Sequence, residues 1–146
     1  LERSNLEVER NIWHFNLTEA VVKNTGSARK VPVPDAIAGN LNEFMRGINT
    51  ERLFSFPVNA DGKAQNSASK ASMRFIRRVT KDPADVTHSF RNKFKDLCRD
   101  AGITKDLHDF VTGHSGGDSA SHYGEGHSLK VRQTALNKIE HPWLRK

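Results

Sequence analysis

The sequence predicts a mainly helical α+β fold with one small antiparallel β-sheet, and three observations lead there. Apolar residues recur at helical spacing in five stretches between Ile37 and Ile139. Three short β-prone runs, near 11–17, 20–23 and 29–33, lie close together early in the chain. A length of 146 residues, 36% hydrophobic and 27% charged, suits one globular core. Residues 1–146 are therefore read as one domain, with 128–146 as a closing helix and tail.

Leu1 to Arg10 reads as a short polar connection. Asn11 to Phe15, through Ile12 and Trp13, has strand character. Ala20–Val22 and Arg29–Val33 read as a hairpin with Asn24-Thr25-Gly26-Ser27 at its tip, a turn by composition, and Lys23 at its rim. Pro34-Asp35 then opens an amphipathic helix carrying Ile37, Leu41, Phe44, Met45 and Ile48, with Asp35 as its cap. Beyond Pro57 and the Asn59-Ala60-Asp61-Gly62 loop comes a basic helix from Ser67 to Val79. Its expected inner face is Ala68, Ser72, Phe75, Ile76 and Val79, with Lys70, Arg74, Arg77 and Arg78 largely outward. Asp82-Pro83 breaks it.

Residues able to do chemistry concentrate between Thr87 and Tyr123. Phe90, Phe94, Leu97 and Cys98 mark one face of a docked helix, and His88 and Arg91, three apart, share another face at its start. A second stripe, Ile103, Leu107, Phe110 and Val111, runs into Gly113, a residue suited to the left-handed conformation that ends a helix. His114 falls just past that end. Tyr123, the only tyrosine, follows nine residues later in a Gly/Ser-rich segment. Ser128 caps a last helix with Val131, Ala135, Leu136 and Ile139 on one side, and Pro142 stops it.

The net charge is +6, and it is unevenly placed. From Lys63 to Arg99 ten basic residues face three acidic ones, an excess of +7 that leaves the rest of the chain at −1. Charge concentrated this way points to a polyanionic partner, because each neutralised phosphate releases counterions. No apolar run is long enough for a membrane span, and the first residues are not the charged-then-apolar stretch that reads as a signal peptide. The single cysteine, Cys98, falls on an apolar stripe, and the expected compartment is a reducing cytoplasm.

In their order and spacing, Thr87-His88-Ser89-Phe90-Arg91, Gly113-His114-Ser115 and Tyr123 resemble the active-site end of the tyrosine recombinases, the phage integrase family. The likeness extends from about Ile12 to Ile139. It implies the DNA breaking-rejoining catalytic-domain fold and site-specific recombination or integration, with Tyr123 as the nucleophile of a covalent 3′-phosphotyrosyl intermediate. Arg91 would clamp the phosphate, and His88 and His114 would hydrogen-bond it or move the nucleophile's proton. In the family a lysine on a hairpin, followed by a basic residue and Val-Pro, is the general acid. Lys23…Arg29-Lys30-Val31-Pro32 resembles that pattern with a hairpin one residue longer, so Arg29 and Lys30 stay open beside Lys23.

The resemblance also implies double-stranded DNA as partner, with Lys70, Arg74, Arg77 and Arg78 on its backbone, and self-association into a tetramer on DNA. Tails like this one commonly link protomers, which favours a neighbouring chain as the seat of the last helix. No metal or other cofactor is required, and the expected setting is the cytoplasm, at the nucleoid, for a protein encoded by a bacterium or a phage. The family has a further arginine in a Thr-Gly-x-Arg segment ahead of the position matching Leu1, preceded by an N-terminal DNA-binding domain. Arg3 lies too late in the pattern to match it. The expectation is a C-terminal fragment of a longer recombinase, an N-terminally truncated catalytic domain with poor activity alone.

Three rivals compete with that reading. Gly113-His114-Ser115-Gly116-Gly117 satisfies the G-x-S-x-G elbow of serine hydrolases, but the preceding residues have helical spacing and the following ones are polar and Gly-broken. His108, His114, His122 and His127 lack the spacing of a zinc site. A DNA-binding module without catalysis would use the basic face alone.

Overall fold

The computed structural model describes residues 1–18, 28–114 and 126–140. The chain forms two compact units, one comprising Leu1–Leu53 and Leu97–Lys146, the other Phe54–Asp96. The fold is mixed α and β, with a three-stranded antiparallel sheet in the order β1-β2-β3. The strands are β1, Leu6–Glu9, β2, Ile12–Asn16, and β3, Lys30–Pro32. The helices are α1, Asp35–Arg46, α2, Gln65–Val79, α3, Thr87–Asp100, α4, Lys105–Thr112, and α5, Leu129–Leu136.

The first ten residues are not the polar connection their composition suggests. A 3-10 turn, Arg3–Asn5, leads into β1. Its anchors are backbone bonds from the Arg3 amide to Glu51 O at 2.6 Å and from the Leu53 amide to Leu1 O at 3.2 Å. β1 then pairs with β2 from Leu6↔Phe15 to Glu9↔Ile12. Only Arg10 and Asn11 join the two strands, both at positive φ, 50° and 63°. Two left-handed residues make the turn whose twist matches a tight hairpin. On the far side, β2 pairs with β3 through His14↔Pro32, Phe15↔Val31 and Asn16↔Lys30. The strand expected near 20–23 lies outside the described residues.

The period-two alternation gives this sheet two buried faces. Leu6 and Val33 join Met45 of α1 and Leu53 in one core cluster, against which Trp13, Phe15, Leu41 and Ile48 pack. The opposite face carries Ile12, His14 and Pro32, all buried, and α5 packs over β2 and β3 there. The last helix is therefore seated on its own chain's sheet, where the resemblance favours a neighbouring chain.

α5 and the turn after it bury three of the four apolar residues that mark the expected inner side, Ala135, Leu136 and Ile139, and two polar residues besides, Arg132 and Gln133. Val131, the fourth, is exposed. The physical reason is that both polar side chains have partners inside. Arg132 lies 3.6 Å over the Phe110 ring and donates from Nη1 to Lys30 O at 3.1 Å. Gln133 donates to Asp35 Oδ1 at 2.8 Å. Asp35 is the first residue of α1 and not its cap. That position belongs to Pro34, and the Asp35 amide is capped from α5 by Asn137 Oδ1 at 2.9 Å.

In the Phe54–Asp96 unit, α2 buries Ile76 alone, and Phe75 and Val79, expected inward, are 66% and 80% exposed. Phe90 of α3 is likewise 66% exposed, whereas Cys98, in the other unit, is fully buried. Side-chain hydrogen bonds close the connections of this unit. Asn59 Oδ1 accepts from the Lys63 amide at 2.8 Å, and Thr80 Oγ1 donates to Asp85 Oδ2 at 2.8 Å.

Candidate functional site

α4 ends in a complete left-handed cap. Gly113 has φ 69°, its amide bonds Phe110 O at 3.3 Å, and the next amide, of His114, bonds Asp109 O at 2.9 Å. These two bonds are the paired closure of a Schellman motif, which fixes the residue after the glycine as firmly as the helix itself. His114 is that residue, so the position expected from sequence is held by the backbone.

Its ring is held as well. Thr112 Oγ1 lies 2.8 Å from His114 Nδ1 and 2.9 Å from His108 O one turn back. The His108 and His114 rings stack with centroids 6.3 Å apart. His108 Nδ1 in turn faces Asp109 Oδ1 at 3.0 Å, and Lys105 pairs with the other Asp109 oxygen. Burial would raise the Asp109 pKa, but the hydrogen bond from Lys105, with further help from His108 and His114, takes it below the ordinary carboxylate value.

The chain just before β3 brings a cation to the same turn. Arg29 Nε donates to Val111 O at 3.1 Å, and a Cβ placed on Gly113 would meet Arg29 Cζ at 2.7 Å. α4 has no basic residue in its own last turn. Arg29 supplies that charge from elsewhere in the chain, where the carbonyl ends concentrate negative potential. Arg29 is therefore a helix-terminating cation. Lys30 is paired with Glu9 at 2.7 Å, and that hydrogen bond raises the Lys30 pKa, which opposes a role as proton donor. Lys23, the first candidate for the general acid, lies outside the described residues, as do Tyr123, Ser115 and His122.

His14 is a buried titratable group that the strand pattern does not single out. It is fully covered on β2, with Nδ1 3.2 Å from Ile12 O and Nε2 3.3 Å from Glu7 Oε2 on β1. Arg132, also unforeseen, is 6% exposed, and burial lowers its pKa from the ordinary guanidinium value. A signal existed for neither, because an ionisable residue in an apolar run reads as solvent-facing until its partner on another element is known.

The other sequence-derived residues belong to the Phe54–Asp96 unit. His88 and Arg91 sit on the first turn and a half of α3, His88 exposed and Arg91 half-buried. The helix start is pinned by Ser89, whose Oγ accepts from the Val86 amide at 3.0 Å and donates to Ala84 O at 3.2 Å. On α2, Lys70, Arg74 and Arg78 are exposed along a groove of about 870 Å³ lined also by Phe56, Pro57, Met73 and Arg77. Arg77 is occupied differently. Its guanidinium donates to Asp82 O at 2.7 Å and Pro83 O at 3.4 Å, tying down the turn that follows α2.

Compared with known proteins, the chain matches no family model, no curated protein and no solved structure.

The chemistry therefore rests on the side chains themselves. A histidine fixed past a helix end suits proton exchange, and in the Phe54–Asp96 unit a histidine and an arginine three residues apart on one helix suit an anionic group. Among the described residues no group of three His, Cys, Asp or Glu side chains could hold a metal ion. Cys98 is no nucleophile at neutral pH, because burial pushes its thiol up to about 11. Among the described residues no helix is long and apolar enough to cross a membrane.

Proposed function

We propose that this chain is the catalytic part of a tyrosine-type site-specific DNA recombinase. The observation that carries the reading is the ordered set Lys23, His88-x-x-Arg91, Gly113-His114-Ser115 and Tyr123. The capped turn that holds His114 and the basic side of α2 support it. In this mechanism the Tyr123 hydroxyl attacks a backbone phosphorus and an imidazole takes its proton. The P–O5′ bond breaks, and Lys23 protonates the leaving oxygen. Arg91 holds the non-bridging oxygens as charge builds on them. These cations do the work a metal does elsewhere, so no cofactor enters. The partner is double-stranded DNA, on which the protein assembles as a tetramer in the cytoplasm.

The resemblance calls for a second clamp arginine, and no arginine of these 146 residues stands in its pattern position. Cleavage by this chain alone is therefore expected to be weak and DNA binding intact.

The test is covalent capture. A nicked duplex that loses its short 5′ product traps any phosphotyrosyl adduct as a denaturation-resistant band. The protein should form that band and Tyr123→Phe should abolish it while still binding DNA. A band that persists in Tyr123→Phe defeats the assignment, and binding by both forms with no band from either, even with the upstream Thr-Gly-x-Arg segment supplied, leaves a DNA-binding module. Ser115→Ala should still form the adduct, which separates this reading from a serine hydrolase.

A further inference from the structure

The contacts around Thr112 specify more than the place of His114. A hydroxyl has one proton to give. Two carbonyls of α4 lie within its reach, His108 O at 2.9 Å and Asp109 O at 3.4 Å, and a carbonyl can only accept. Back-bonding of a threonine to the carbonyl one turn earlier is a common use of that proton. Oγ1 then faces His114 Nδ1, 2.8 Å away, with its lone pairs, and the contact is a hydrogen bond only if Nδ1 carries the ring proton. The chain of donors runs from His114 Nδ1–H to Thr112 Oγ1–H to His108 O.

We propose that Thr112 is a positioning residue that holds neutral His114 as its Nδ1–H tautomer, so that Nε2 carries the lone pair. Such a ring accepts a proton at Nε2 when neutral and donates from Nε2 only as the imidazolium. For the reaction proposed above, on which this consequence rests, His114 takes up the nucleophile's proton in its neutral form. It hydrogen-bonds a phosphate oxygen only once protonated.

Among the described residues, the following groups bear on its titration. On α4 they are His108, stacked on the ring, and Asp109 with its Lys105 partner. From the β3 side the Arg29 guanidinium lies against Gly113. Asp109 favours the charged ring and Arg29 opposes it.

Long-range ¹⁵N–¹H correlation of the ¹⁵N-histidine-labelled protein, above the His114 titration, reads the tautomer directly and needs no substrate. The proton should be on Nδ1 in the wild type and in Thr112→Ser. Thr112→Val, nearly the same shape without the hydroxyl, should shift it toward Nε2. A wild-type ring protonated on Nε2, or a tautomer indifferent to Thr112→Val, overturns the proposal. The same proteins are then titrated with duplex DNA across pH. Wild-type and Thr112→Ser binding should fall as His114 loses its proton, and the Thr112→Val curve should flatten. A tautomer that responds as stated beside a binding curve that does not upholds Thr112 and removes His114 from the phosphate, so the two claims fail separately.

Discussion

Asn137 and Asp35 hold each other by two hydrogen bonds across 102 residues of chain. Asn137 Oδ1 accepts from the Asp35 amide at 2.9 Å while its Nδ2 donates to Asp35 Oδ2 at 2.7 Å. One side chain thus caps the first orphan amide of α1 and anchors the C-terminal end of α5 to it. Asn137→Ala should cost about 1–2 kcal/mol, a cap plus a charge-assisted bond, and lower Tm by roughly 3–6 °C. Asp35→Ala removes the carboxylate partner of both Asn137 and Gln133. Combined with Asn137→Ala it should cost clearly less than the two single losses added. Calorimetry on the three variants checks it, and strict additivity would mean the two residues do not act on each other.

Gly113 is constrained twice, by its left-handed φ and by the Arg29 guanidinium where a Cβ would go. Gly113→Ala should destabilise by about 1–2 kcal/mol for the backbone alone, with a further cost from displacing Arg29. In the Arg29→Ala background the same substitution should cost less, because only the backbone part remains. Urea unfolding of the four proteins measures that difference, and an equal cost in both backgrounds would dissociate Arg29 from the turn.

Local signals carried the parts of this fold that depend on neighbours in sequence. The left-handed Gly113 and the Ser128 cap, whose Oγ accepts from the Val131 amide at 3.4 Å, follow from residue type and position. What sequence did not yield depends on distant partners. Leu6–Glu9 looked polar because two of its four residues are glutamates, yet Glu7 faces the buried His14 and Glu9 pairs with Lys30. α5 buries Arg132 and Gln133 beside its apolar residues, with Val131 left exposed, because Phe110 and Asp35 receive those two polar side chains. Among the candidate residues, His88, Arg91 and His114 are singled out by spacing alone. Thr112 is not, since its role needs the coordinates of two neighbours on α4 and one just past it.

Acid should expose one of the contacts that hold the 126–128 loop. The hydrogen bond from the Thr104 side chain, and then the 2.6 Å contact with His127 Nε2, lower the Asp106 pKa to about 2. A carboxylate whose folded pKa lies below its unfolded value adds stability that is fully present above about pH 4. That stability fades as pH falls through the folded pKa. Wild-type stability should therefore drop between about pH 4 and 2 more steeply than that of Asp106→Asn. Parallel slopes from thermal melts at stepped pH would show that the pair contributes nothing. The side chain is largely exposed, so the difference should also shrink in high salt.

The basic face of α2 should divide into side chains that meet DNA and side chains that serve the protein. Lys70, Arg74 and Arg78 are exposed along one groove, whereas Arg77 spends its guanidinium on two carbonyls of the following turn. Each phosphate that is no longer neutralised should reduce the slope of log K against log salt by about 0.9. Replacing Lys70, Arg74 and Arg78 together with alanine should therefore flatten the slope by about 2–3, with affinity falling similarly for every DNA sequence because phosphate contacts position without reading bases. Arg77→Ala should act through stability instead. Freeing the carbonyls of Asp82 and Pro83 loosens the turn and should lower Tm while leaving the salt slope close to that of the wild type. Fluorescence anisotropy at several salt concentrations, paired with thermal melts, distinguishes the two classes. An unchanged slope in the triple variant would take the DNA footprint off this helix, and a flatter slope in Arg77→Ala at unchanged Tm would return that arginine to it.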